Sequence, residues 1–278
     1  MSASARIAAC VKWVDLRPEI DSLSGAVSES TRSSGFSAAD QAAVETALRL
    51  GEAWGAEVTV LCVGPPQVDG ALREALAAGA QRAIRVDSLD DAPSAHVAAA
   101  LAAVLDGVDT VICGDYSADR GSGAVPAFLA AQLGAAQALG LVAVDPAESG
   151  RVLVTRRVGG GRSERLELAG PMVLSVEGSV AQLRRASLAS VLASADAPIE
   201  RSSAPTPTQL HPIAVLDRSA VRPRARALPA PAGATPRDRI VALTGALVDR
   251  TPPRTVVASP DEAADLILDQ LRQWGYLD

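Results

Sequence analysis

Short apolar runs alternate with segments of helical period through the first half of the chain. Residues 7–11, 57–63, 83–86, 110–113 and 139–144 are short runs dominated by Val, Ile, Leu, Cys and Ala. Strands covered on both faces read this way. Between them, Ser37 predicts an N-cap for a helix over 38–54, with Gln41 near its third position. A second helix over 68–78 ends at Gly79, a natural C′ glycine, and others fall over 94–105 and 126–133. This alternation predicts an α/β fold with an open, mostly parallel, doubly wound sheet.

The grammar then changes. Residues 151–158 and 163–168 flank Gly159-Gly160-Gly161 and predict an added β-hairpin, followed by a short apolar strand over 172–176. From about 196 to 237 the chain is rich in Pro, Ala, Ser and Arg without periodicity, which predicts an extended arm with little structure of its own. Ser259-Pro260-Asp261-Glu262 opens a terminal helix through Trp274. The expected division is an α/β domain with hairpin over 1–195, then a C-terminal arm and docking helix over 196–278.

Composition narrows the function. The 278 residues are 48% hydrophobic and 21% charged with net charge −6, a well-cored protein with no general affinity for nucleic acid. The uncharged stretch 121–144 exceeds a membrane span in length, but Pro126, Gln132, Gly134, Gln137 and Gly140 break it, so a helix, a turn and a strand are expected and no membrane insertion. Cys10, Cys62 and Cys113 lie in apolar runs without metal-type spacing and read as buried free thiols in a reducing, cytoplasmic setting. No secretory signal is read at the N-terminus.

The chemistry concentrates in Gly114-Asp115-Tyr116-Ser117-Ala118-Asp119-Arg120-Gly121-Ser122-Gly123-Ala124-Val125-Pro126. A strand, a loop of small and acidic residues, and a helix whose first turn carries Ser122, Gly123 and Pro126 together build an anion site. The only lysine, Lys12, ends the first strand and can serve as a phosphate point charge. Cys10, Val11, Ser37, Val63, Gly64 and Asp119 to Val125 fall at the same edge of a parallel sheet. His96 and His211 have no nucleophile, metal or carboxylate context. There is no GxGxxG fingerprint and no Walker A sequence, so phosphate cradling is present without catalytic or metal residues.

Several segments carry a family resemblance. They are Val11-Lys12-Trp13-Val14-Asp15, Ser37-Ala38-Ala39-Asp40, Cys62-Val63-Gly64-Pro65, Leu72-Arg73-Glu74-Ala75-Leu76-Ala77-Ala78-Gly79-Ala80, the 114–126 loop, and the hairpin leading into Leu183-Arg184-Arg185-Ala186-Ser187-Leu188. In this order, over about residues 5–195, the chain resembles the β subunit of an electron transfer flavoprotein. The resemblance implies the adenine-nucleotide α-hydrolase-like version of the fold and an electron carrier, not an enzyme. It implies a heterodimer with an α subunit that holds most of the FAD, reduced by flavin-linked dehydrogenases and reoxidised by a quinone oxidoreductase at the membrane. A structural AMP would be held by Cys10, Val11, Lys12, Ser37, Val63, Gly64, Asp119, Ser122, Gly123, Ala124 and Val125. Ser187, Leu188 and Ala189 would form the partner-docking loop, with Leu188 as its apolar anchor.

The chain also departs from that family. Ser37 replaces an Asn, Asp115-Tyr116 a basic or glutamine-containing pair, and Ala124 a Gln or Asn. Leu16 stands where an aromatic often faces the flavin, and the lysine cluster after Leu188 is missing. These departures point to a divergent, mycofactocin-associated subgroup. Two other readings are an electron-bifurcating type with a second FAD in place of AMP, and a stand-alone adenine-nucleotide sensor.

Overall fold

The apolar runs fall where a parallel sheet needs them. A computed structural model describes residues 6–87, 92–203, 230–245 and 255–277, in two units, residues 1–221 and 222–278. The chain begins with β1 (Arg6–Val11), followed by four short strands, β2 (Trp13–Asp15), β3 (Glu19–Ile20), β4 (Val27–Ser28) and β5 (Ser34–Phe36). Next come α1 (Ala38–Trp54), β6 (Glu57–Val63), a 3-10 turn over Pro66–Val68, α2 (Asp69–Ala78), β7 (Arg82–Asp87), α3 (Ser94–Ala102), β8 (Thr110–Gly114) and α4 (Val125–Leu133). The series continues through β9 (Ala136–Pro146), β10 (Arg151–Gly159), β11 (Arg162–Ala169), β12 (Met172–Val176), α5 (Leu188–Ser194) and β13 (Glu200–Ser203).

Nine strands form one sheet in the order β11-β10-β9-β12-β8-β1-β6-β7-β13. It is parallel from β9 to β13, and only the hairpin β10–β11 runs antiparallel on β9. Strand residues alternate between two apolar layers. Ile7, Ala9 and Val11 join α1 and α2 on one face, while Ala8 and Cys10 join α3 and α4 on the other. The doubly wound, mostly parallel α/β fold read from the apolar pattern is therefore the fold the chain adopts.

Several local readings are corrected. Asp40, not Gln41, is the third residue of α1, and it closes a reciprocal capping box with Ser37. Ser122 and Gly123 precede α4 instead of belonging to its first turn; Ala124 is its cap. β9 starts at Ala136, three residues before the expected 139, because it pairs along β12 and then carries the hairpin. The irregular stretch after residue 196 includes β13, whose Glu200 and Arg201 pair with Ile84 and Arg85. Arg82 grips Glu200 bidentately at 2.8 Å, which compensates for weak strand propensity. His211 lies outside the described residues, and His96 sits in α3.

The second unit contributes α6 (Pro236–Thr244) and α7 (Pro260–Gln273). Both open on capping boxes, Thr235 with Asp238 and Ser259 with Glu262, and neither buries a residue. α7 has the serine cap, proline and first-turn acids expected, with Trp274 and Tyr276 in edge contact just beyond it. No helix among the described residues is long and apolar enough to cross a membrane.

The centre of the sheet should carry most of the stability. Ile112 on β8 is fully buried, and Ile112→Ala should cost about 3 kcal/mol of unfolding free energy, read by chemical denaturation.

Candidate functional site

Chain direction diverges at the middle of the sheet. From β1 the order steps to β6 and β7 on one side and to β8 and β12 on the other. Such a switch point leaves a crevice outside the carboxyl ends of the strands. A cavity of about 750 Å³ lies there, lined by Cys10 and Val11 at the end of β1 with Lys12 just beyond it, Val63 ending β6 with Gly64 after it, and Cys113 and Gly114 from β8. The volume falls in the usual range for small-molecule sites, roughly 300–1,000 Å³.

One wall is the loop between β8 and α4. Gly121 and Gly123 both take positive φ, 61° and 57°. At Gly123 a Cβ would lie 2.5 Å from the Asp115 carbonyl oxygen, so the close turn requires glycine. Ala124 caps α4 with no side-chain hydrogen bond, and Pro126 stands in the first turn. The first-turn N–H groups thus have no side-chain acceptor at an end that carries the positive pole of the helix. Arg120 tethers the loop by donating to the Ala92 carbonyl at 2.9 Å.

The opposite wall is the start of α1. Asp40 is 5% exposed, and its carboxylate accepts from the Lys12 N–H at 3.0 Å, the Ser37 N–H at 3.1 Å and the Ser37 hydroxyl at 2.5 Å. Burial pushes its pKa up to about 6 against the pull of these bonds. Lys12 reaches across the cavity and places Nζ 2.5 Å from Asp119 Oδ2. Partial burial would raise the Asp119 carboxyl, but the Lys12 and Ser117 hydrogen bonds dominate and bring it down to about 2. Cys10 and Cys113 are in-register neighbours on β1 and β8. Their shared hydrogen bond, then burial, hold the Cys10 thiol well above its ordinary range, and burial raises Cys62 to about 12. All three cysteines are free and buried, as unreactive thiols.

The residues proposed from sequence mostly converge. Cys10, Val11, Lys12, Val63, Gly64, Asp119, Ser122, Gly123, Ala124 and Val125 all line the cavity. Ser37 does not, but it holds Asp40, which does. Asp40 was absent from that set, although serine followed three residues later by a carboxylate is a capping-box signal. Trp13, Asp15, Glu29, Ser30 and Ser34, from the β2–β5 region, also reach the cavity; no motif marks them. No group of three or more potential metal ligands occurs among the described residues. Ser187, Leu188 and Ala189 lie outside the cavity lining; Ser187 caps α5, and Leu188 is 74% exposed.

The two perturbed carboxyls should oppose each other in pH dependence. Folding raises Asp40 from 3.8 to about 6, so its contribution is best below pH 4 and declines as pH rises through 6. Folding lowers Asp119 from 3.8 to about 2, so its contribution is complete above pH 4 and is lost as pH falls towards 2. Denaturation across pH should show the first slope removed by Asp40→Asn and the second by Lys12→Met.

The chain can now be set beside known proteins. A family model described as "Electron transfer flavoprotein domain" matches residues 24–207. The electron transfer flavoprotein subunit beta of Syntrophomonas wolfei is 30% identical over 203 residues, covering 72% of this chain and 80% of the relative. The protein of the same name from Mycobacterium tuberculosis is 34% identical over 164 residues, covering 55% and 61%. Protein FixA of Azorhizobium caulinodans is 29% identical over 170 residues, covering 58% and 60%. The last two matches span less than two thirds of those relatives' lengths. With the family match running through the sheet, the hairpin and α5, the chain belongs to the electron transfer flavoprotein family, on its beta-subunit side.

Proposed function

We propose that the chain is the β subunit of a heterodimeric electron carrier that binds AMP in the switch-point cavity and helps enclose an FAD held mainly by an α subunit. The observation that carries the nucleotide assignment is the 115–124 loop. Glycine backbone and an uncapped helix start face a cavity of suitable size. Ser122 and the N–H groups of Gly123 to Val125 would hold the phosphate, and Asp119 the ribose side. Cys10, Val11 and Val63 would flank the adenine, and Ser37 would act through Asp40.

The cavity lining includes the carboxylates of Asp15, Glu29, Asp40 and Asp119, with Lys12 and Arg120 as its bases. In this reading the nucleotide is structural and the chain is an electron carrier without its own substrate turnover.

FAD supplies reversible electron storage; this chain's part is to shape the enclosure and present docking surfaces. Leu188, Val191 and Leu192 form an exposed apolar face on α5, suited to a transient contact with a flavin-linked dehydrogenase. A quinone oxidoreductase at the membrane would be the acceptor, with the carrier working in the cytoplasm. The exposed apolar residues of α6 and α7, among them Ile240, Leu243 and Ile267, fit an arm that docks on the α subunit.

Co-expression with an α subunit, followed by absorption spectroscopy and mass spectrometry of released ligands, tests the assignment. One FAD and one AMP per heterodimer are expected. Two flavins would establish the bifurcating alternative, and a stable monomer that binds ATP would establish the sensor. Gly123→Ala should weaken AMP retention at least about tenfold, because the loop must open to admit a Cβ. Leu188→Ala should slow reduction by a partner dehydrogenase while leaving ligand content unchanged.

A further inference from the structure

The segment that leads into α5 has no regular secondary structure from residue 181 to 187, yet it is tied firmly to α1. Its anchor is Arg184. The Arg184 N–H donates to Glu45 Oε2 at 3.1 Å, Nε to the same oxygen at 3.0 Å, and Nη2 to Glu45 Oε1 at 3.1 Å. The guanidinium also grips Glu52 on the next turns of α1, through Nη1 to Oε1 and through Nη2 to Oε2 at 3.2 Å. Glu45 is only 4% exposed. One arginine therefore fastens its backbone and side chain to the buried Glu45, where charge-assisted bonds are strong, and its side chain also to the exposed Glu52.

The far side of α5 is held as well. Ser194 is buried, and Arg73 on α2 donates to the Ala197 carbonyl at 3.2 Å, just past the helix. Between the two arginines stands a seven-residue helix whose outer face is Leu188, Val191 and Leu192. A helix this short does not hold itself together in water. Its order comes from its mounts, and an ordered apolar face loses less entropy on meeting a partner.

We propose that Arg184 is a positioning residue that locks the α5 entry segment to α1, so that Leu188, Val191 and Leu192 are presented preformed to the electron-donating partner. The inference rests on the docking role given to Leu188 above, and it adds a residue that touches neither partner nor cofactor. Arg184 acts through α5, with Glu45 and Glu52 as its receptors.

The test uses the heterodimer with its α subunit. Amide hydrogen exchange over residues 188–194 should accelerate about tenfold or more in Arg184→Gln, the loss of several charge-assisted bonds, while residues 38–54 keep their protection. Arg184→Lys should restore part of the protection. Because Arg184→Gln leaves the buried Glu45 carboxylate with Arg49 as its remaining cation, the double variant Glu45→Gln/Arg184→Gln is measured beside it, and it should keep the fold with α5 still loosened. Unchanged exchange over 188–194 in a folded variant would overturn the proposal.

The functional arm uses whichever of a panel of purified flavin-linked dehydrogenases reduces the wild-type heterodimer fastest. The double variant should raise KM for that dehydrogenase about fivefold or more with kcat and flavin content kept, and this increase should vanish in a Leu188→Ala background. An equal increase with and without Leu188 would mark Arg184 as merely structural and overturn the inference. A Leu188→Ala variant with wild-type KM would instead sink the docking reading itself, even if exchange at α5 responds to Arg184.

Discussion

The first turn of α1 is where the carboxyl edge of the sheet is tied together. The buried Asp40 carboxylate binds the backbone at the end of β1 through Lys12 and the start of its own helix through Ser37. Gly114 at the end of β8 comes so close that a Cβ would lie 3.0 Å from Ala39 Cβ. Gly178, just after β12, approaches Ala38 at the same distance. Three strand ends thus meet one helix start, and any side chain at these glycines would push them apart. The cavity is the space left on the other side of that junction.

From that junction α1 reaches both the cavity and the entry to α5. Its first turn supplies Asp40 to the cavity, and Glu45 and Glu52 farther along hold Arg184 and the entry to α5. The helix itself is nearly inert: its buried face is mostly Ala and Leu. Its carboxylates are what make it a reference for both sites. Asp40 and Glu45 are buried charges that can exist only because each has hydrogen-bond donors aimed at it.

The cavity combines a cradle for negative charge with an acidic lining. The α4 end and the glycine loop present backbone N–H groups suited to an anion, whereas Asp15, Glu29, Asp40 and Asp119 bring carboxylates to the same lining. Lys12 mediates between them, since its ammonium neutralises Asp119 in the same space. Backbone N–H groups and glycine conformations, more than side-chain identities, shape the 115–124 loop.

The sequence by itself determined the central strands of the sheet, the first helices, the hairpin and the loop between β8 and α4. Those features are written in local periodicity, in Ser37 and Ser259 as caps, and in glycines that need positive φ. The residues at the ends of β1, β6 and β8 were legible as a site because parallel sheets bring those ends together. Local pattern could not reveal β13, whose Glu200-Arg201-Ser202-Ser203 forms a strand only because β7 and Arg82 are beside it. Nor could it reveal that Lys12 spans to Asp119, or that Arg184 reaches back 139 residues to Glu45. Those contacts join charges distant along the chain, and the fold decides them because only the packed sheet and α1 bring the partners within bonding distance.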